Sequence, residues 1–136
     1  MEGIEYLEKK ARDGDAEAQV ELGERFEEGR GTESSPTEAM LWYRRAAKQE
    51  NPRAQRKLGD CYYHGNGVMQ DYKFAVDWYR KAAGQGDVPA MTRLAQAILD
   101  GRGVSGSTRE ARHWLEKATR AGSEKAASIL EELLHG

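Results

Sequence analysis

Residues 51–86 read NPRAQRKLGDCYYHGNGVMQDYKFAVDWYRKAAGQG, and this unit recurs along the chain every 36 residues. Its tryptophan, Trp78, lies 36 residues after Trp42 and 36 residues before Trp114. Small and apolar residues recur at the same step, in sets such as Ala18, Ala54, Ala90 and Ala126; Leu22, Leu58, Leu94 and Leu130; Gly29, Gly65 and Gly101; and Ala46, Ala82 and Ala118. A fixed period of this length indicates a repeat protein, in which each unit packs on its neighbours.

Each unit contains two amphipathic helical patterns. In the first, Ala54, Leu58 and Tyr62 are four residues apart and share one helical face. The second carries a wider apolar stripe, and residues that favour N-caps or C-caps flank both patterns. The predicted helices are about 2–12, 16–28, 36–48, 52–64, 72–84, 88–100, 108–120 and 124–135. The pattern predicts an all-α protein, a right-handed α/α solenoid of about eight antiparallel helices with tetratricopeptide-like architecture.

The predicted solenoid is a single domain, residues 1–136. Its parts are a half repeat 1–14, repeats 15–50, 51–86 and 87–122, and a C-terminal capping helix 123–136. A start in mid-repeat favours a piece of a longer array. The N-terminal helix is expected to leave Ile4 and Leu7 exposed, and we expect weak self-association through residues 1–12. Glu50 replaces a turn glycine found in the other repeats, so its turn is predicted to differ.

Composition excludes several classes of protein. The chain has 21 Lys and Arg against 23 Asp and Glu, a net charge of −2, which argues against a general nucleic-acid or membrane-surface binder. No apolar run could span a membrane and the N-terminus lacks a signal-peptide pattern, so we expect a cytoplasmic protein unless a secretion signal was removed before residue 1. Cys61 and His64 lie on one helix face, as a thiolate–imidazole pair or two metal ligands would, but further ligands are missing. We therefore predict no metal, no cofactor and no enzyme activity.

The repeat resembles the Sel-one-like repeat family, a relative of the tetratricopeptide repeat. The residues that carry the resemblance form the patterns A-x-x-x-L-G-x-x-Y, G-x-G-V and A-x-x-W-Y-x-K-A-A-x-x-G-D, which begin at Ala54, Gly65 and Ala75. The resemblance implies adaptor roles: assembling signalling or degradation complexes, regulating partner proteins, or acting between bacteria and hosts or rivals. Ala95, where the pattern has glycine, is one of several departures in the third repeat. The periodic tryptophans are expected to be buried in the repeat core.

Tetratricopeptide proteins place their binding residues on the concave face, along the first helix of each pair. Carried onto this sequence, the expected partner-binding residues are Glu17, Val20, Glu24, Glu27 and Glu28 in the first repeat, Arg53, Arg56, Asp60, Tyr63 and His64 in the second, and Thr92, Gln96 and Leu99 in the third. The first set is mostly acidic, the second is basic with an aromatic residue, and the third is neutral. A face whose character changes along its length can fix the register of a bound segment.

These features favour a module or adaptor that binds a protein or peptide on its concave face. An inhibitor or immunity protein that blocks one enzyme or toxin is the alternative. A nucleic-acid binder is a distant alternative, and it would use a basic cluster composed of Arg44, Arg45, Lys48, Arg53, Arg56 and Lys57. The same surfaces without a partner would be ordinary solvated helix faces.

Overall fold

The computed structural model describes residues 3–136, and eight α-helices account for most of them. In chain order they are α1 (Ile4–Arg12), α2 (Ala16–Glu28), α3 (Pro36–Lys48), α4 (Pro52–His64), α5 (Tyr72–Gly84), α6 (Val88–Asp100), α7 (Thr108–Arg120) and α8 (Glu124–His135). These bounds confirm the predicted helices, except that residue 2, where the first was expected to begin, lies outside the described residues. Residues 3–136 contain no strand, and no helix among them has the length and hydropathy of a membrane span.

Each helix packs on the helix before it and on the helix after it, so the chain is an all-α solenoid of helix pairs. We call α2, α4, α6 and α8 the A helices, and α1, α3, α5 and α7 the B helices. The outer surface of the A helices is the A-helix face. Contacts between successive A helices form the first interface (α2 with α4), the second interface (α4 with α6) and the third interface (α6 with α8).

A buried residue on each long B helix packs into the neighbouring A helix. Tyr43 and Tyr79 are 1% and 2% exposed. A Cβ atom on Gly23 would lie 2.5 Å from the Tyr43 ring, and one on Gly59 would lie 2.7 Å from the Tyr79 ring. The glycine after each core leucine therefore makes room for the tyrosine. In the third repeat the matching position on α7 is Leu115, which is fully buried.

The tryptophans occupy a different place from the one predicted. Trp42, Trp78 and Trp114 are only half-buried at the edge of the core, and the residue after each of them is the buried one. A cation lies beside each indole ring, with Arg45, Lys81 and Lys117 at 4.5, 4.6 and 5.5 Å from the ring centroids. Successive residues of a helix point about 100° apart, so a wide apolar stripe does not reveal which of two adjacent aromatics is central.

The N-terminal helix also differs from its prediction. Leu7 is 9% exposed and packs with Ala11 and Leu22, and Ile4 is partly buried against the same cluster. Tyr6 is the exposed residue, at 57%. The expected exposure of Leu7 is therefore wrong, whereas the expected self-association through residues 1–12 stays a prediction.

The turn at Glu50 keeps the hydrogen bond of the other turns despite the missing glycine. The Glu50 amide donates to the Ala47 carbonyl, as the Gly86 amide donates to the Ala83 carbonyl in the next repeat. Glu50 reaches this geometry with a φ of 64°, a left-handed conformation that costs a non-glycine residue about 1–2 kcal/mol. The predicted difference is therefore confined to the backbone angle, since the glycines of the other turns have φ of 95–102°, and the repeat keeps its turn under local strain.

Candidate protein-binding face

The A-helix face carries the residues predicted to bind a partner, but many of them bind one another. At the first interface, Glu24 on α2 accepts from Arg53 Nη2 at 2.5 Å and lies 3.4 Å from Lys57 Nζ, both on α4. Glu17 Oε2 lies 3.7 Å from Arg53 Nη1, and its other oxygen accepts from Asn51 at 2.6 Å. The acidic and basic sets are therefore two sides of one interface.

The two other acidic residues predicted to bind a partner, Glu27 and Glu28, also have contacts within the chain. Glu27 accepts a hydrogen bond from the Tyr43 hydroxyl at 2.5 Å, and Glu28 is paired with Arg30. Val20 is fully buried in the core, so it offers no side chain to a partner. The prediction that Val20 lines an accessible face is wrong, because a helix with two packed neighbours also buries part of this side.

The second interface contains a nearly buried ion pair. Arg56 Nε on α4 lies 2.7 Å from Asp87 Oδ2, with side chains 14% and 12% exposed. Asp87 is also the N-cap of α6 and accepts from the Ala90 amide at 3.1 Å. The same pair thus joins two repeats and fixes the start of a helix.

A second polar network at this interface centres on Asp60. Its Oδ1 accepts from the Tyr79 hydroxyl at 2.5 Å and lies 3.1 Å from Arg93 Nε in an ion pair. Burial, reinforced by the Asp60 carboxylate, raises the pKa of Tyr79 far above its ordinary value, so the hydroxyl remains a donor. Asp60 is therefore occupied by residues of its own chain.

The third interface is open in the sense that no ion pair spans it among residues 3–136, although cavities of about 410 and 250 Å³ also lie among the paired charges beside the first interface. Two adjoining cavities of about 420 and 230 Å³ lie between the second repeat, α6 and α8. Thr92, Arg93 and Lys125 line both cavities, and Gln96 lines the smaller one. Among residues 3–136, no carboxylate lies within 4 Å of Lys125 Nζ.

The other predicted residues of the second and third repeats border this region. Tyr63 and His64 line the smaller cavity, with ring centroids 5.2 Å apart. Leu99 is partly buried against the core. Thr92 is 4% exposed, and its hydroxyl points to the Val88 carbonyl at 3.4 Å. Thr92 therefore forms part of the cavity floor, whereas Tyr63, His64 and Gln96 are accessible at its rim.

Cys61 does not form the reactive pair considered from the sequence. The thiol is buried, and burial together with the nearby Glu27 and Asp60 carboxylates raises its pKa to about 12. A thiol with such a pKa is uncharged at neutral pH and a poor nucleophile. Within residues 3–136, no three His, Cys, Asp or Glu side chains are grouped to hold a metal ion.

Arg93 and Lys125 were missed by the sequence-based choice of residues. A signal for Arg93 was present, because Glu24 precedes Lys57 by 33 residues and Asp60 precedes Arg93 by the same interval. Lys125 follows Arg53 by two full periods. Comparing positions across interfaces, rather than within one helix, would have identified both.

The comparisons with known proteins agree with this architecture. The model of the Sel1 repeat matches residues 16–51, 52–87 and 88–123. A solved Sel1 repeat protein from Oxalobacter formigenes is 38% identical, with a TM-score of 0.85 over 95% of this chain and 97% of that chain. Cysteine-rich protein B of Helicobacter pylori is 29% identical, with a TM-score of 0.72 over 91% of this chain and 94% of that one.

Two Escherichia coli proteins are similar over part of their length. A protective antigen of uropathogenic strains, which displays an SLR fold, is 40% identical with a TM-score of 0.89. That match covers 93% of this chain and 27% of the antigen. The secretory immunoglobulin A-binding protein EsiB is 49% identical over 43 residues, which are 32% of this chain and 9% of EsiB.

Proposed function

Because the chain belongs to the Sel1 repeat family, we propose that it is a non-enzymatic adaptor that binds a protein or peptide along its A-helix face, the concave side. Sel1 repeats are generally protein-interaction modules built on a non-catalytic scaffold. The observation that carries the proposal is the open third interface, where two adjoining cavities lie beside exposed polar and aromatic side chains. Grooves that are concave, partly apolar and edged by polar groups are the usual form of binding sites.

The similarity to EsiB supports a protein partner, because that relative is described as binding immunoglobulin A. The similarity covers only a small part of EsiB, so its partner is not transferred to this chain. An inhibitor or immunity protein would use the same face, and inhibition of the partner's activity would distinguish that role from an adaptor.

The basic cluster is poorly suited to nucleic acid because five of its six members are already engaged, with Lys48 the exposed exception. Arg44 donates to the Tyr62 hydroxyl at 2.8 Å, Arg45 covers Trp42, and Arg56 pairs with Asp87. Arg53 and Lys57 are held by Glu24, as described above. Nucleic-acid affinity depends on cations that are free to neutralise phosphates. The structure therefore favours a protein partner over a nucleic acid.

Affinity capture with two matched double variants tests the proposal. His64→Ala with Gln96→Ala changes the A-helix face, and His113→Ala with Lys48→Ala changes exposed positions on the B helices. Quantitative mass spectrometry of proteins captured from the source cell should show about tenfold lower recovery of the main partner with the first variant alone. Equal recovery by the first variant and the wild type, or a loss confined to the second, would contradict binding on the A-helix face.

A further inference from the structure

The third interface lacks the charged contacts that close the first. Arg53 on α4 is held by two carboxylates of α2. Lys125 on α8 occupies the matching position two repeats later, but Gln96 and Pro89 stand where α2 has its two carboxylates. Lys125 is therefore a cation whose repeat-equivalent anions have been replaced by neutral residues.

The third interface also lacks an equivalent of the ion pair that joins Arg56 and Asp87 at the second interface. Arg56 and Asp87 correspond, one period later, to Thr92 and Ser123. Both of these smaller residues line the cavity of about 420 Å³. The cavity thus lies where the preceding interface is filled by a nearly buried ion pair.

The lining of the cavities defines what could fill them. Lys125 and Arg93 supply positive charge, although Arg93 already forms an ion pair with Asp60. Val88, Pro89 and Ala121 contribute apolar surface to the wall of the larger cavity. An occupant that matches both features presents a carboxylate to Lys125 and an apolar group to the wall.

Building on the proposed function, we infer that the two adjoining cavities at the third interface are the docking site for an acidic segment of a partner protein. An aspartate or glutamate of the partner takes the place of the carboxylates that the chain itself supplies at the first interface. A neighbouring apolar side chain enters the larger cavity. A peptide fits better than a free anion because the cavities adjoin and continue to Tyr63 and His64, so several consecutive side chains have a place to bind.

A peptide array tests this inference with the full chain. The probe is a library of 12-residue peptides, each presented in its original form and with every Asp and Glu replaced by Asn and Gln. We expect the bound peptides to contain an acidic residue next to an apolar one, and binding to fall about tenfold or more in the amide forms. Fluorescence anisotropy with the three tightest peptides then gives dissociation constants for the variants.

The key variant is Lys125→Glu, and Lys48→Glu, the same change at an exposed position on α3, is its control. Lys125→Glu should weaken the acidic peptides about tenfold or more, while Lys48→Glu should leave them nearly unchanged. Gln96→Glu, which offers Lys125 a carboxylate from its own chain, should weaken them by a smaller factor. Melting curves verify that each variant is folded.

A second variant fills the cavity instead of reversing its charge. Thr92→Arg with Ser123→Asp recreates the pair seen at Arg56 and Asp87, and it should abolish peptide binding while raising Tm. The inference would be overturned if the bound peptides bind equally well in their acidic and amide forms, so that no peptide depends on its carboxylates. It would also be overturned if Lys125→Glu binds the acidic peptides with wild-type affinity. The proposed function is decided separately by the capture comparison above, so it can survive the failure of this inference.

Discussion

The first two interfaces and the third are built from the same repeat but are closed by different chemistry. In the first two repeats, a buried glutamine on the A helix accepts from a glutamine in the turn that leads to the next A helix, with Gln49 donating to Gln19 and Gln85 donating to Gln55. Met91 and Ala121 occupy the matching positions in the third repeat. Ion pairs also cross the first and second interfaces, whereas among residues 3–136 none involves Lys125 at the third. Polar contacts thus join the A helices at the first two interfaces, whereas in the described part of the chain the third lacks the equivalent ion pairs.

The difference shows how a repeat protein separates stability from binding. Polar groups buried between repeats must be satisfied, so they fix the relative position of the helices. Where such groups are replaced by smaller or neutral ones, the backbone keeps the same geometry but surface becomes available. The open interface is therefore the more suitable place for a partner, and the closed interfaces act as its support.

The largest expected effect comes from removing the buried tyrosine beside the second interface. Tyr79→Ala should lower the free energy of unfolding by about 3–5 kcal/mol, because it leaves a large cavity and deprives Asp60 of a donor. Domains of this size have about 5–15 kcal/mol in total, so Tm should fall severely. Denaturant unfolding followed by circular dichroism measures the loss.

Trp78→Ala is the natural comparison, because the indole is only half-buried. Trp78→Ala should lower the free energy of unfolding by about half as much as Tyr79→Ala, since less apolar surface is removed from the core. An equal or larger loss in Trp78→Ala would show that the tryptophan, rather than the tyrosine, is the central core residue.

Reversing a charge at the closed second interface should have the next largest effect. Arg56→Glu places a carboxylate against Asp87, and we expect a loss of about 2–4 kcal/mol, near the range for breaking a buried pair. Arg45→Glu, on the exposed side of α3, is the control and should cost no more than about 1 kcal/mol. Equal melting curves for the two variants would mean that the ion pair does not contribute to closing the interface.

A smaller change makes the second repeat resemble the third. Gln55→Met introduces the residue found one period later at Met91 and removes the acceptor for the Gln85 side chain. The Gln85 amide keeps its bond to the Glu50 carbonyl, so the loss should be about 1 kcal/mol. Urea unfolding detects a change of this size, and a gain in stability would contradict a stabilising role for the glutamine bridge.

Much of the fold could be predicted from sequence, because helix periodicity and capping are local properties. Asp15 and Asn51, for example, are residue types that favour N-caps, and both accept the expected amide hydrogen bond at the start of their helices. The burial of Tyr79 rather than Trp78 depends on the angle at which two helices meet, which periodicity does not define. The pairing of Arg53 with Glu24 depends on how successive repeats are offset. The candidate site was therefore only partly predictable, since its openness arises from contacts that are missing between repeats.

The smallest effect should come from relieving strain beside the first interface. Glu50→Gly gives that turn the glycine found in the other repeats, at a position with a φ of 64°. We expect a gain of about 0.5–1 kcal/mol, because glycine reaches left-handed geometry without steric cost but has more conformational freedom when unfolded. Differential scanning calorimetry should show a rise in Tm, whereas a fall would mean that the Glu50 side chain contributes more than the strain costs.

The most direct test of the central claim is an NMR titration of the isotopically labelled full chain with the tightest acidic peptide from the array. If the open third interface is the binding site, amide shifts should concentrate at Thr92, Gln96 and Lys125 and extend toward His64. The Lys125→Glu variant should lose those shifts at the same peptide concentration. Shifts confined to α2, or to the outer surfaces of α3 and α5, would contradict the claim that this protein keeps its third interface open for a partner.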